Sequence, residues 1–212
     1  LGSSTSTTGS AVAGLSNNFT FQNNSSRTTN FGLFVIQTSS AGNGSGMLIT
    51  GNDLTTGIVN AGISVQGVDG VTISNNTISG IDPATTEVDY GIRLRTGTIN
   101  ATVSNNTISN LGFTGATTGN AYGIWVESAN ATSSVTVSGN TITDFTSSGT
   151  ATISTTGIYV SGATAGVTIE KNIIRNIKQT NTTGYGASGI QLSSTSATAN
   201  ISVRNNMISD IA

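Results

Sequence analysis

Val-Thr-Ile-Ser-Asn-Asn-Thr-Ile, residues 71–78, decides the fold of this chain, because the phrase keeps returning. Taking its second Asn, Asn76, as an anchor, the same wording recurs around Asn106, Asn140, Asn172 and Asn206, with weaker copies around Asn52 and Asn24. The intervals, from the first anchor to the last, are 28, 24, 30, 34, 32 and 34 residues. That spread is too wide for a propeller blade and natural for stacked coils whose loops differ in length.

Apolar residues keep fixed offsets from the anchor. Phe19, Met47, Val71, Ala101, Val135, Val167 and Ile201 stand five before it, and Phe21, Ile49, Ile73, Val103, Val137, Ile169 and Val203 three before. Ile78, Ile108, Ile142, Ile174 and Ile208 come two after; Ile81, Leu111, Phe145, Ile177 and Ile211 come five after. A period of two built from β-branched residues means strands with one buried face. A second phrase precedes the anchors: Gly-Leu-Phe-Val (32–35), Gly-Ile-Ser-Val (62–65), Gly-Ile-Arg-Leu (91–94), Gly-Ile-Trp-Val (123–126), Gly-Ile-Tyr-Val (157–160) and Gly-Ile-Gln-Leu (189–192). Each Gly reads as a tight corner where the chain re-enters a strand. Each coil is therefore expected to carry three short strands: the Gly-Ile strand, one entering the Asn and one leaving it. Stacking buries the apolar columns in a continuous core that no single repeat can form.

The anchor is polar and turned inward, which is costly unless its amide is hydrogen-bonded. In a stack, Asn52, Asn76, Asn106, Asn140, Asn172 and Asn206 can bond one to the next as a ladder. Asn also tolerates the left-handed backbone of a tight turn. The expected fold is all-β: a single-stranded parallel β-helix of about seven coils, roughly 30–35 Å long at ~4.8 Å per coil. Residues 1–212 form one segment, with 1–14 as an irregular lead-in. Leu1 and Ala212 read as cuts inside a longer protein.

Composition narrows the function. Charged residues make up 8% of the chain, and Lys plus Arg number seven against nine Asp plus Glu, a net charge of −2. No basic stripe is present to neutralise a phosphate backbone, so nucleic acid is not an expected partner. With no His and no Cys, imidazole and thiolate metal ligands and the usual nucleophile–base pairs are excluded. No apolar run approaches the ~20 residues that span a bilayer.

Val-Ser-Asn-Asn-Thr-Ile-Ser-Asn-Leu (103–111) and Tyr-Gly-Ala-Ser-Gly-Ile-Gln-Leu (185–192) resemble the repeat of right-handed, pectate-lyase-like parallel β-helices. They are similar above all to the long Ser/Thr/Asn-rich proteins that Bacteroidota-type bacteria export to their surface. The resemblance covers roughly residues 15–212. It implies the right hand of the coil, in agreement with the handedness of parallel crossovers, and an extracellular or cell-surface location. Catalysts in that family sit on the outward face of the first strand of each coil. Its lyases use Asp or Glu to hold calcium with Arg or Lys as base, and its hydrolases use clustered Asp with a neighbouring His. This chain has no His and no Asp-Asp pair, so the hydrolase pattern is not matched.

The candidate cluster lies on the outward face of the Gly-Ile strands. One column reads Phe34, Ser64, Arg93, Trp125, Tyr159, Gln191, and the next Ile36, Gln66, Arg95, Glu127, Ser161, Ser193. Register places Glu127 beside Arg95 and Trp125 between Arg93 and Tyr159. The plain reading is an ion pair and a cation–π contact worth ~0.2–1 kcal/mol each. The sharper reading is a glycan platform of Arg93, Arg95, Trp125, Glu127 and Tyr159, since aromatic faces stack on sugar rings. The loop Asp82-Pro-Ala-Thr-Thr-Glu87-Val-Asp89 holds three acids, but its spacing matches no calcium loop, and it reads as a solvated turn. The sequence thus predicts no catalytic set, no cofactor and no metal. It points to a structural or adhesive rod, with further coils of the same chain at both ends and neighbouring copies or surface glycans as partners. The alternative is a polysaccharide-binding or lyase-like coil face.

Overall fold

The computed structural model describes residues 17–40, 44–81, 88–114, 119–148, 153–180 and 184–212. The lead-in expected over 1–14 lies outside them. The strands entering each anchor (Thr20–Gln22, Leu48–Thr50, Thr72–Ser74, Thr102–Ser104, Val135–Ser138, Val167–Glu170 and Ser202–Arg204) pair in chain order as a seven-stranded parallel sheet. Register holds column by column: Ile73 against Val103, Val103 against Val137, Val137 against Ile169. The leaving and Gly-Ile strands form a second, 11-stranded sheet. In the first two coils these two fuse into the continuous strands Ser25–Ile36 and Asp53–Gln66. Later coils separate them, as in Thr107–Ser109 and Asn120–Val126.

Seven anchors bound six full turns. Because no Gly-Ile strand precedes Asn24 among the described residues, the complete coils number six rather than the seven expected. Inside them the apolar columns close completely. Ile49, Ile73, Val103, Val137, Ile169, Ile78, Ile108, Ile142 and Ile174 are all at 0% exposure. The outward partners of these residues are Thr72, Thr102 and Thr136, with Ser74, Ser104 and Ser138 in the second rank, each in register. Stacked hydroxyls keep the outer face of these coils polar, and Glu170 and Arg204 continue the second rank as an ion pair.

The ladder forms and runs one way. Each anchor's backbone N–H and Nδ2 both donate to the Oδ1 of the next: Asn76 to Asn106 at 3.0 and 2.9 Å, Asn106 to Asn140 at 3.0 and 2.9 Å, Asn140 to Asn172 at 3.0 and 2.9 Å. The second Nδ2 proton goes back to the preceding coil, from Asn106 to the Ile73 carbonyl and from Asn140 to that of Val103, both at 2.9 Å. Each interior amide is therefore saturated, which is why Asn76, Asn106, Asn140 and Asn172 sit at 1% exposure or less without penalty.

Two local readings need correction. The left-handed residue is the one before the anchor: Asn23, Gly51, Asn75, Asn105, Gly139, Lys171 and Asn205 all have φ between 55° and 65°. Two further left-handed columns flank it. Asn18, Gly46, Gly70, Asn100, Ser134, Gly166 and Asn200 form one, and Thr28, Gly57, Gly80, Asn110, Asp144, Asn176 and Asp210 the other. Short strands therefore turn at corners five residues apart. Lys171 is the one corner of the central column with neither Gly nor the Asn side chain that favours this conformation. Lys171→Asn should raise stability by ~1 kcal/mol, read as a higher urea midpoint at unchanged m-value.

The glycines of the Gly-Ile strands do not serve a corner, since none has positive φ. Their absent side chain is what matters. A methyl group on Gly91 would stand 2.7 Å from the Gly123 carbonyl oxygen and 2.6 Å from Cγ2 of Ile108. The Gly column lets the leaving-strand Ile column press directly on the neighbouring backbone.

Candidate functional site

Gly91 faces inward against Ile108 and Ile92 is inward as well, so the alternation of two breaks there. The residue before each Gly consequently shares the outer face with the residue two after it. This brings Tyr90 beside Arg93 and Tyr122 beside Trp125, in the column Phe31, Ala61, Tyr90, Tyr122. Six of the 11 aromatic residues of the chain, Phe31, Phe34, Tyr90, Tyr122, Trp125 and Tyr159, gather on this one face. All but Phe34 pack as a small outer cluster separate from the core.

Both columns read from the sequence are present, with Trp125 between Arg93 and Tyr159 in register. Side chains depart from the expected pairing. Glu127 does not meet Arg95; it reaches diagonally to Arg93, whose Nη2 donates to both carboxylate oxygens at 3.0 and 2.7 Å. The Arg93 guanidinium lies 3.6 Å above the Trp125 ring and 5.4 Å from that of Tyr90. Flat stacking on the indole swings the fork toward Glu127, one rung on. Arg95 instead leans over Phe34 at 5.8 Å.

The remaining aromatics hold one another. Tyr122 stacks on Tyr159 with centroids 4.7 Å apart and meets Trp125 edge-on at 5.2 Å; the Trp125 Nε1–H donates to Ser161 Oγ at 2.7 Å. Burial drives the Tyr122 phenol well above its ordinary range, and Tyr159 adds to that while Arg93 opposes it. Tyr122 is therefore a neutral hydrogen-bonding group at any physiological pH and no proton acceptor. Tyr90 and Tyr122, which the column analysis overlooked, are 5% and 6% exposed. Their signal was present: an aromatic directly before the Gly in two successive copies of the Gly-Ile phrase.

Among the acids of the 82–89 loop, Asp82 and Glu87 lie outside the described residues. Asp89 is fully buried, at 0% exposure. The solvated turn expected there is wrong for this residue, because Asp89 occupies an inward position in the strand Asp89–Leu94. Among the described residues, no three acidic side chains converge into a metal-binding group. Elsewhere charges pair on the surface: Arg204 Nε donates to Glu170 at 2.7 Å, holding that carboxyl below its usual range.

No helix among the described residues is long and apolar enough to cross a membrane. A family model described as "Right handed beta helix region" matches residues 61–212. No curated protein and no solved structure gave a significant match to the chain.

Proposed function

The chain belongs to the right-handed β-helix family, and from that premise we propose that it is a structural and adhesive segment of a large extracellular bacterial protein, without catalytic activity. The observation that carries the reading is the mutual neutralisation of Arg93 and Glu127. A lyase working on this face needs a free base and a separate acid or metal to receive the developing charge. Among the described residues, Glu127, the acid of this face, is bonded to Arg93, whose guanidinium lies on Trp125, so Arg95 has no free acid beside it to work with. The saturated Asn ladder and closed apolar columns supply what a rod needs instead, a stiff stack of interchangeable coils.

The aromatic gathering supports adhesion to glycans on the same face. Trp125 and Tyr159 offer ring surfaces 6.0 Å apart at an angle of 35°, and Arg95 has no ion pair among the described residues. The test is a screen of the purified chain against polygalacturonate, alginate and neutral glycans, with and without calcium. No turnover is expected, and any binding should fall at least about tenfold in Trp125→Ala, which removes both a stacking face and the Arg93 support. Turnover that disappears in Glu127→Gln overturns the non-catalytic reading.

A further inference from the structure

Ring contacts on the Gly-Ile face run unbroken from coil to coil. Tyr90 meets Trp125 edge-on with centroids 6.3 Å apart, Trp125 meets Tyr122 at 5.2 Å, and Tyr122 stacks on Tyr159 at 4.7 Å. Three of the four tyrosines of the chain and its single Trp are thereby joined. The two stacked phenols belong to neighbouring coils, since Tyr122 stands opposite Thr156 in the sheet and Trp125 opposite Tyr159. Their planes are inclined by only 27°, so ortho carbons of one ring lie against the other. Tyr122 is 6% exposed and Tyr159 is half-buried.

Such a pair has a chemistry that glycan adhesion does not use. A phenol that loses an electron also sheds its proton, leaving a neutral radical with spin on the ortho carbons. An oxidised indole instead stays positively charged until a base takes its proton. The Arg93 guanidinium lies 3.6 Å above the Trp125 ring, where it opposes that charge. The indole N–H is bonded to Ser161, a neutral hydroxyl and no base. A hole that enters the series is therefore driven off Trp125 and rests on the stacked phenols. The chain has no Cys, so no disulfide can staple one coil to the next.

We propose that Tyr122 and Tyr159 are a cross-linking site, joined on oxidation into a dityrosine that fastens two neighbouring coils. The oxidant is hydrogen peroxide activated by a haem peroxidase. One oxidation takes an electron and a proton from Tyr159, the more accessible ring. An electron then crosses the stack from Tyr122, whose proton passes to water while Tyr159 takes a proton back. A second oxidation makes the Tyr159 radical again. The two radicals couple by a carbon–carbon bond between ortho positions, and the ortho hydrogens shift to the phenolic oxygens, restoring both rings. Two phenols and one peroxide thus give one dityrosine and two waters.

The test treats the purified chain, at low concentration, with hydrogen peroxide and a haem peroxidase. Blue dityrosine fluorescence should appear in protein that still migrates as a monomer. Peptide mapping should find the segments holding Tyr122 and Tyr159 joined, lighter than their sum by two hydrogen atoms. The joined chain should unfold at a higher urea midpoint than the untreated one, because a closed loop restricts the unfolded state. Tyr122→Phe and Tyr159→Phe should each abolish the product, and Tyr185→Phe should leave it. Both critical variants keep the ring; should Tyr122→Phe not fold, Tyr159→Phe at the half-buried position decides alone. Dityrosine found only between molecules overturns the proposal. So does a monomeric product that survives in Tyr159→Phe, or oxidation that ends on Trp125 with no joined peptides.

Discussion

Gly123→Ala is expected to destabilise the protein by about 3 kcal/mol, although it adds one methyl group. That methyl would lie 2.5 Å from the Gly157 carbonyl oxygen, 2.8 Å from Cγ2 of Ile142 and 3.2 Å from Cζ of Phe145. The first is backbone held in the ladder of the sheet, and Ile142 and Phe145 are at 0% exposure, so none can yield without displacing a neighbour. Gly162→Ala is the matched control. It has φ +66 with nothing within 4 Å of the added carbon, so it should cost only the ~1–2 kcal/mol of left-handed strain. Urea unfolding of both variants reads the difference. Equal costs would mean that the Gly-Ile glycine serves backbone conformation after all.

Asn140→Ala should cost a similar ~3 kcal/mol, because several buried groups lose partners together. Asn140 Oδ1 accepts from the backbone N–H and Nδ2 of Asn106, and its own Nδ2 donates to Val103 and to Asn172. Removing the side chain leaves the Asn106 N–H with no acceptor inside a closed corner. Asn130→Ala is the comparison. That Asn lies between the strands Asn120–Val126 and Val135–Ser138, where its side chain accepts only from the backbone N–H and hydroxyl of Thr132 in a local turn. Its loss should cost under ~1 kcal/mol. A larger loss at Asn130 would remove the ladder from the list of what holds the coils together.

The fold was legible because its signal is columnar. Each apolar residue recurs at a fixed distance from an Asn, and a stack demands that recurrence. The flanking corners were harder to see, although Asn100, Asn105 and Asn110 stand five apart in a single coil with positive φ. In a chain so rich in Asn, Gly and Ser, such residues are unremarkable one by one, and Thr28, Ser134 and Lys171 break the pattern. On the Gly-Ile face, register correctly places backbones and says less about long side chains. Glu127 and Arg95 share a column, but a guanidinium reaches further than one rung, and the indole face of Trp125 redirects Arg93 instead. Tyr90 and Tyr122 stayed hidden because strict alternation assigns them inward, and only the missing side chain of the next Gly reverses it. Asp89 was misjudged for a related reason. Its neighbours in sequence look like a loop, while its neighbours in space are the inward positions of two coils.

The one-way run of the ladder gives the rod a vector. Cut between any two interior coils, the stack shows amide N–H groups on one face and amide oxygens on the other, as between Asn106 and Asn140. Like faces cannot satisfy each other: two oxygen-bearing faces repel, and two N–H faces leave every donor idle. Whole coils can therefore be gained or lost by duplication or deletion, provided that each arrives in the same sense. Two such rods meeting head to head cannot continue the Asn ladder across the joint.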